Sequence, residues 1–294
     1  MLKIKLIFFI LLTMSLGFHA PLPEASAAAG DITAVKTQSE GNNLEHDTNV
    51  GVYNSLVQVD SDTYALAYQG GGNDGFISTF TISSDGTTIT EVDSLEHDTN
   101  DVSYNSLVQV DSDTYALAYA GAGNDGFIST FTIDSDGAIT AVMTQSEGNN
   151  LEHDTDSGQY NSLVQVDSDT YALAYSGGVN EGFISTFTIS SDGTTITEVA
   201  SLEHDTDVGL YNSLVQVDSD TYALAYTASG NDGFISTFTI DSDGAITAVK
   251  TRSEGNNLEH DTSNVVYNSL VQVDSSTYAL AYAGAGNDGF ISTF

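Results

Sequence analysis

The chain contains no cysteine and no tryptophan, and its only two prolines are Pro21 and Pro23. Without cysteine no disulfide bond can cross-link the fold, so its stability has to come from packing. The one long apolar run, Leu6–Phe18, is too short for a comfortable membrane span. A chain of 294 residues is nevertheless long enough to bury a substantial core without staples.

Basic residues are also scarce. Lysine and arginine total 5 against 41 for aspartate and glutamate, which gives a formal net charge of -36. A surface of this sign repels phosphate backbones and anionic membranes, so the composition argues against nucleic acid as a partner. The charge favours solubility, and binding of divalent cations such as Ca²⁺ is the alternative that it leaves open.

The N-terminus has the pattern of a secretory signal. Lys3 and Lys5 precede the apolar run Leu6–Phe18, and Ala25-Ser26-Ala27 supplies small residues at a cleavage position. We therefore expect residues 1–27 to be a signal peptide. Residues 28–294 are expected to form one domain, secreted or at the cell surface, without membrane insertion after cleavage. An uncleaved anchor is the alternative.

Five nearly identical segments make up almost all of the remaining chain. Each begins Leu-Glu-His-Asp-Thr and continues through Tyr-Asn-Ser-Leu-Val-Gln-Val-Asp-Ser, Thr-Tyr-Ala-Leu-Ala-Tyr and Gly-Phe-Ile-Ser-Thr-Phe. Their starts, alternately 51 and 56 residues apart, are Leu44, Leu95, Leu151, Leu202 and Leu258. A period of this length predicts a repeat architecture.

One repeat is predicted to contain four strands. The runs of apolar and β-favouring residues in the first copy are Asn54–Asp60, Thr63–Tyr68, Phe76–Ile82 and Ile89 to about Ser94. Turn signals separate them, and no segment has helical periodicity over a helix length. The chain is therefore expected to be all-β.

The two faces of each predicted sheet differ in size. Tyr64, Leu66 and Tyr68 point to one face, and Ala65 and Ala67 point to the other. Both faces are apolar or small, which is typical of a sheet that is covered on both sides. We expect the large face of one unit to pack on the small face of the next, as in the blades of a β-propeller.

The two ends of the chain predict how the ring closes. The last copy stops at Phe294 after its third strand, and Asp31–Val35 matches the fourth-strand segments 138–142 and 245–249. The predicted fold is a five-bladed β-propeller of four-stranded antiparallel blades, closed by the N-terminal strand joining the last blade. The alternating spacing fits an even ring better, so a longer ring and a β-solenoid stay open as alternatives.

Residues 31–294 resemble β-propeller repeat proteins in general. They do not match the WD40 type, because the Trp-Asp dipeptide is missing. One partial similarity is a histidine just before the first strand, which in WD40 blades is hydrogen-bonded within a structural network. The histidines in a similar place here are His46, His97, His153, His204 and His260.

Three residues of each repeat are candidate ligand-binding residues: the histidine, the aspartate after it and the tyrosine before the first strand. They are His46, Asp47, Tyr53, His97, Asp98, Tyr104, His153, Asp154, Tyr160, His204, Asp205, Tyr211, His260, Asp261 and Tyr267. A His-Asp pair can act as a metal ligand or a general base, and a tyrosine beside Asn and Asp is a reasonable sugar platform. The alternatives are a histidine hydrogen-bonded within its blade and a tyrosine at an interface.

No catalytic set, organic cofactor or definite metal site follows from the sequence. Asp-Ser-Asp-Gly at Asp134 and Asp241 resembles the start of a calcium loop, but the spaced oxygens of such a loop are missing. We expect a hairpin turn at both positions, with Ca²⁺ bridging between loops as the alternative.

The near identity of the copies favours a secreted, non-enzymatic binding module, lectin-like or adhesive. Several weak equivalent sites would together bind an extracellular glycan or a cell-surface component. A structural or surface-layer protein without a small-molecule ligand is the first alternative, and a hydrolase is the second. We expect no enzymatic activity, because catalysis needs different residues in different roles and matching repeats offer the same ones.

Overall fold

The computed structural model describes residues 34–294, which form five β-sheets arranged as the blades of a propeller. The all-β, five-bladed prediction is confirmed. Strands within each blade are antiparallel, and the first strand of each blade packs against the first strand of the next. No helix among the described residues is long and apolar enough to cross a membrane. The predicted signal peptide, residues 1–27, lies outside the described residues.

The blades follow chain order, each beginning with its innermost strand. Blade 1 contains β1 (Val52–Gln58), β2 (Thr63–Gln69), β3 (Gly75–Ile82) and β4 (Ile89–Asp98). Blade 2 contains β5 (Ser103–Gln109), β6 (Thr114–Ala120), β7 (Gly126–Ile133), β8 (Ile139–Met143) and β9 (Leu151–Asp154). Blade 3 contains β10 (Gln159–Gln165), β11 (Thr170–Ser176), β12 (Gly182–Ile189) and β13 (Ile196–Asp205).

The last two blades follow the same plan. Blade 4 contains β14 (Leu210–Gln216), β15 (Thr221–Thr227), β16 (Gly233–Ile240), β17 (Ile246–Lys250) and β18 (Leu258–Asp261). Blade 5 contains β19 (Val266–Asp274), β20 (Thr277–Ala283) and β21 (Gly289–Thr293). Short 3-10 turns occupy Gln38–Glu40, Gly71–Asn73, Ala122–Asn124, Ser229–Asn231 and Ala285–Asn287.

The outermost strand is longer than predicted. In blade 1 it continues past Ser94 to Asp98, because Leu95 and Glu96 pair with β3. The Leu-Glu-His-Asp motif therefore belongs to the blade before the one whose first strand follows it. In blades 2 and 4, residues 144–150 and 251–257 interrupt this strand, but both parts pair with the same neighbour. The alternating spacing is thus an insertion at the outer edge of every second blade.

Large faces pack on small faces, as predicted. Ala65, Ala67 and Ile77 of blade 1 form one apolar cluster with Leu107 and Tyr115 of blade 2. The same arrangement recurs between the later pairs of neighbouring blades. Burial of apolar area is favourable by about 25 cal/mol per Å², so in this disulfide-free chain the clusters between blades are the main source of stability.

The predicted closure of the ring is not confirmed. Asp31, Ile32 and Thr33 lie outside the described residues, and Ala34 and Val35 are not part of a strand. Blade 5 accordingly consists of three strands in the described part of the chain.

Candidate functional site

Each innermost strand begins with a β-bulge at the propeller axis. In blade 1 the register with β2 shifts between Val52 and Ser55, so Tyr53 and Asn54 are left out of the ladder. Tyr53 has a φ of 54°, in the left-handed region that residues other than glycine rarely occupy. The equivalent tyrosines, with φ between 52° and 59°, are Tyr104, Tyr160, Tyr211 and Tyr267. Strain of about 1–3 kcal/mol per residue persists only where the surrounding structure enforces it, and it is concentrated at functional sites.

The bulges of all five repeats line one pocket on the axis, with a volume of about 370 Å³. We call it the axial pocket. Its lining consists of Tyr53, Asn54, Tyr104, Asn105, Tyr160, Asn161, Tyr211, Asn212, Tyr267 and Asn268. From Tyr53 to Tyr267, successive tyrosine rings are in contact, with centroids 4.3 to 5.1 Å apart. The five tyrosine candidates therefore meet in one place.

Four of the five asparagine side chains of the axial pocket connect neighbouring blades. Asn161 donates through Nδ2 to the carbonyl oxygen of Tyr104 at 3.2 Å and to that of Gly158 at 2.8 Å. The same bond to the tyrosine of the preceding blade is made by Asn105, Asn212 and Asn268. These bonds hold the strained tyrosine backbone in its bulge.

Burial keeps the hydroxyls of three tyrosines of the axial pocket protonated at neutral pH. Burial raises the pKa of Tyr160 and Tyr211 to about 12, and it also raises the pKa of Tyr104. A protonated phenol both donates and accepts hydrogen bonds. The axial pocket thus offers aromatic faces and neutral polar groups, and it has no carboxylate in its lining.

A second depression of about 360 Å³ adjoins the axial pocket. We call it the side cleft. It shares Tyr53 and Tyr104 with the axial pocket, and its other lining residues are Gln69, Asp101, Ser103, Gly123, Asn124 and Gln159. Segments from blades 1, 2 and 3 therefore meet here.

Asp101 gives the side cleft a carboxylate. Its side chain is exposed, and its Oδ1 accepts a hydrogen bond from Asn73 Nδ2 at 3.0 Å. Its φ of 27° also lies in the left-handed region. The equivalent positions of the other repeats hold Val50, Ser157, Val208 and Asn264. The side cleft is therefore chemically different from its counterparts around the ring.

A second carboxylate, that of Asp125, directly follows two residues that line the same cleft, Gly123 and Asn124. Asp125 Oδ1 lies 3.3 Å from the position that a Cβ on Gly123 would take, and Gly123 is part of the cleft lining. Asn124, the residue before Asp125, is fixed in the lining because its Oδ1 accepts a hydrogen bond from Gln159 Nε2 at 2.8 Å. The cleft thus brings a carboxylate from the loop before β5 close to the loop between β6 and β7.

The candidate histidines lie elsewhere, between blades. The ring of His97 packs edge-on against Tyr119 and Phe131, with centroids 4.9 and 5.7 Å apart. Neither of its nitrogens has a hydrogen-bond partner among the described residues. Burial lowers the pKa of His97, His153 and His204 to about 3. These imidazoles are neutral packing groups at physiological pH and do not line the axial pocket.

The candidate aspartates cap the loops that lead to the bulges. Asp98 Oδ1 accepts the backbone N–H of Asn100 at 3.0 Å, and Asp154 Oδ1 accepts those of Asp156 and Ser157. Asp47, Asp205 and Asp261 cap their loops in the same way. The structure thus separates the three candidate residue types: tyrosines at the axis, histidines between blades and aspartates at loop starts.

Metal ligation finds little support in the part of the chain that the structure describes. No three His, Asp or Glu residues converge there in a group that could hold a metal ion. In the loop that resembles a calcium site, Asp134 Oδ1 accepts the backbone N–H of Asp136 and of Ala138, as in a hairpin turn. Its carboxylate is therefore engaged in the turn itself.

Sequence reasoning missed the asparagines of the axial pocket and Asp101. The asparagines follow the tyrosine in every copy, and this invariant Tyr-Asn pair was the available signal. No sequence signal indicated Asp101. Its place in the site depends on a hydrogen bond from Asn73 and on a cleft shared with Tyr53, and both of these residues lie in another blade.

The chain matches no protein-family model, and no curated protein matches it. Solved structures with a similar fold include an exo-β-1,3-galactanase from Phanerochaete chrysosporium with β-1,3-galactotriose, at 11% identity and a TM-score of 0.51. The same enzyme with galactose aligns at 13% identity and a TM-score of 0.51. In both cases the alignment covers 85% of this chain and 59% of the galactanase. A protein from Lactobacillus plantarum aligns at 15% identity and a TM-score of 0.53, over 82% of this chain and 70% of that one.

These likenesses are propeller folds, and at such identities they establish the fold alone. The expectation of a non-enzymatic binding module is nevertheless wrong on this comparison, because solved structures that share the fold are those of a glycan-degrading enzyme. The physical premise of that expectation fails too. It assumed equivalent repeats, whereas the loops around the axial pocket differ from blade to blade, with Asp101 in one of them.

Proposed function

We propose that this protein is a carbohydrate-degrading propeller enzyme, similar in reaction type to a glycoside hydrolase, whose saccharide binds in the axial pocket and side cleft. The observation that carries the proposal is the position of Asp101. Only one of the five repeats has a carboxylate at this position, and this carboxylate lines a cleft that shares Tyr53 and Tyr104 with the axial pocket.

The lining of the axial pocket suits a sugar ring. Tyrosine rings provide flat apolar surfaces for the C–H faces of a saccharide, and their hydroxyls and the asparagine amides provide hydrogen-bond partners for its hydroxyl groups. The volume of about 370 Å³ is in the usual range for a small-ligand pocket.

The side cleft supplies the acid and base groups. Hydrolysis of a glycosidic bond uses two carboxyl groups, one that protonates the leaving oxygen and one that activates water or attacks the sugar. Asp101 lines the cleft, and Asp125, which directly follows the lining residue Asn124, is the candidate for the second carboxyl group. Asn73 orients Asp101 through the hydrogen bond to its Oδ1, which leaves Oδ2 for the substrate.

The charge of the protein narrows the substrate class. With a net charge of -36, the surface repels acidic polysaccharides and tolerates neutral ones. The galactan that the structurally similar enzyme degrades is one such neutral glycan. The signal-like N-terminus supports action outside the cell, on an extracellular or cell-surface glycan.

Release of reducing ends from a panel of neutral polysaccharides, β-1,3-galactan included, tests the proposal. We expect cleavage of at least one of them, reduced by about 10²-fold or more in Asp101→Asn, because loss of an acid–base group costs this much. Asp156→Asn is the matched control, since Asp156 is an exposed carboxylate in the corresponding loop of blade 3. Cleavage of no polysaccharide would overturn the hydrolytic activity, and equal losses in both variants would remove Asp101 from the site.

A further inference from the structure

One apolar interface is repeated four times around the ring. In each, the small face of a blade receives the large face of the next, as Ala65, Ala67 and Ile77 receive Leu107 and Tyr115. A hydrogen bond between the two blades accompanies this interface: the backbone N–H of Leu107 donates to Ser55 Oγ at 2.9 Å. The equivalent ties join Leu163 to Ser106, Leu214 to Ser162 and Leu270 to Ser213.

The two faces that would form one more such interface are both open. On the large face of blade 1, Leu56 is 60% exposed, whereas its equivalents are 3–4% exposed; these are Leu107, Leu163, Leu214 and Leu270. On the small face of blade 5, Ile291 is 79% exposed, whereas its equivalents are fully buried in blades 1 to 3 as Ile77, Ile128 and Ile184. We call the space between these two faces the seam.

Blades of two types alternate along the chain. In blades 1 and 3 the outer strand is continuous, as in Ile89–Asp98 and Ile196–Asp205. In blades 2 and 4 it is interrupted by a loop. Within the loop of blade 2, Thr144 N–H donates to Asn149 Oδ1, and Asn149 Nδ2 donates to the carbonyl oxygen of Val142.

The segment before blade 1 contains the same loop that interrupts the outer strand in blades 2 and 4. Thr37 N–H donates to Asn42 Oδ1 at 2.7 Å, and Asn42 Nδ2 donates to the carbonyl oxygen of Val35 at 3.1 Å. These are the bonds found in blade 2 and again in blade 4. Val35 also lies 3.4 Å from the Cβ position of Gly86, as Val92 of blade 1 lies 3.1 Å from that of Gly137 in blade 2. The segment thus takes the place of the outer strand of a blade that precedes blade 1.

The alternation predicts that blade 5 is of the continuous type, although no outer strand of this blade is among the described residues. Blade 5 follows an interrupted outer strand, as blades 1 and 3 do, so its own outer strand is expected to be continuous. If the segment around Val35 completed blade 5, blades 4 and 5 would both have an interrupted outer strand, and two blades of that type would be neighbours for the first time in the ring. One blade of the interrupted type between blade 5 and blade 1 keeps the alternation.

We propose that the seam binds one further blade of the interrupted type, a β-repeat with the chemistry of residues 81–138 of this chain. These bounds follow from the repeat, since Phe294 is equivalent to Phe80, and Ile32 to Ile139. Such a unit has a large face for the exposed Ile291 and a small face for the exposed Leu56. It also supplies the outer strand of blade 5 and the three inner strands that the segment around Val35 lacks. A second copy of this chain docked through its blade 1 would bring its own Val35 segment to blade 5, so blades 4 and 5 would again be neighbours with interrupted outer strands.

A fusion protein tests the fit. Residues 81–138 are added after Phe294, so that the appended unit ends at Ala138, the residue equivalent in sequence to Asp31. We expect a monomer whose melting temperature is higher by ~5–10 °C, because two apolar faces become buried. We also expect weaker binding of a hydrophobic dye. The matched control is the same fusion with Leu107→Asp and Tyr115→Asp in the appended copy only, which removes the large face that packs on blade 5. Equal melting temperatures for fusion, control and unextended chain would overturn the proposal.

Cysteine pairs distinguish this arrangement from closure of the five blades on themselves. The chain has no cysteine of its own. Thr130 and Met143 are paired in blade 2, and the equivalent positions in a self-closed ring are Thr293 and Lys36. We expect no disulfide in the unextended Lys36→Cys, Thr293→Cys chain. We expect one when Lys36→Cys is combined with Thr130→Cys in the appended copy. Rapid crosslinking of the unextended chain, or a stable dimer of it by light scattering, would refute the proposal in favour of self-closure or of a second copy.

Discussion

The imidazole of His153 lies directly against Gly126. A Cβ added to this glycine would be 2.5 Å from His153 Cε1 and 3.0 Å from the Cα of Gly158. The same close approach joins Gly75 to His97, Gly182 to His204 and Gly233 to His260. Glycine at the start of the third strand is therefore what allows each buried histidine to fit between two blades.

Gly126→Ala is accordingly expected to lower the free energy of unfolding by about 1–3 kcal/mol, the usual cost of overpacking a rigid site. Gly289→Ala is the matched control, because Gly289 is the equivalent residue of blade 5 and no atom lies within 4 Å of its Cβ position. Urea unfolding of both variants measures the difference. Equal destabilisation would mean that a histidine also covers Gly289 in solution, as it would in a closed ring.

Stability is expected to fall when the pH is lowered from about 6.5 towards 3. His97, His153 and His204 have a pKa of about 3 in the folded chain against 6.5 in a model peptide, so over this range the unfolded chain binds more protons. Each histidine then costs about 1.4 kcal/mol of stability per pH unit. Burial raises the pKa of Asp98, which acts in the opposite direction, but burial also lowers the pKa of His260, which acts in the same direction as the three histidines.

Melting temperatures between pH 7 and pH 4 measure this effect, with His153→Gln as the comparison. The variant is less stable at pH 7 because it loses packing, but its stability should depend less steeply on pH. A stability that stays level down to pH 4 would show that these imidazoles are not neutral and buried.

A hydroxyl group joins blades 2 and 3. Thr130 Oγ1 donates to the carbonyl oxygen of Gly193 at 2.7 Å, within the buried interface. Thr130→Val leaves that carbonyl unpaired and should cost about 1–3 kcal/mol. Thr237 is the equivalent residue of blade 4, and the structure gives its hydroxyl no such bond within residues 34–294, so Thr237→Val should cost much less. Chemical unfolding of both variants measures the loss of unfolding free energy. A similar loss in both would contradict the stabilising role of the Thr130 hydroxyl.

Asn161→Ala should weaken the wall of the axial pocket. It removes two hydrogen bonds, to the carbonyl oxygens of Tyr104 and Gly158, each worth about 1 kcal/mol. Asn54→Ala is the control, since within the described part of the chain Asn54 donates only to the carbonyl oxygen of Gly51 in its own loop. We expect a larger drop in melting temperature and in glycan cleavage for Asn161→Ala. Identical behaviour of the two variants would mean that ties between blades do not support the pocket.

Much of the fold could be predicted from one repeat. The positions of the four strands follow from the apolar runs and turn signals, and large and small faces follow from alternation along β2. The outer strand was predicted too short, because Leu95–Asp98 has no strand signal of its own and is held by pairing with β3. The site was harder to predict. A bulge that places Tyr53 at a positive φ is unusual for any residue with a side chain, and no sequence pattern indicates it.

The sequence by itself determined that this chain builds blades. Each repeat carries a tyrosine-rich face, an alanine-rich face and a glycine opposite a histidine. These features act between residues of adjacent repeats, so they specify sheets that stack on one another. Only the tertiary structure decided what lies at the centre. Tyr53, Tyr104 and Asp101 meet because stacked blades curve around an axis, and the curvature arises from the packing of whole faces rather than from any local run of residues. The same packing decided that the faces bearing Leu56 and Ile291 stay open.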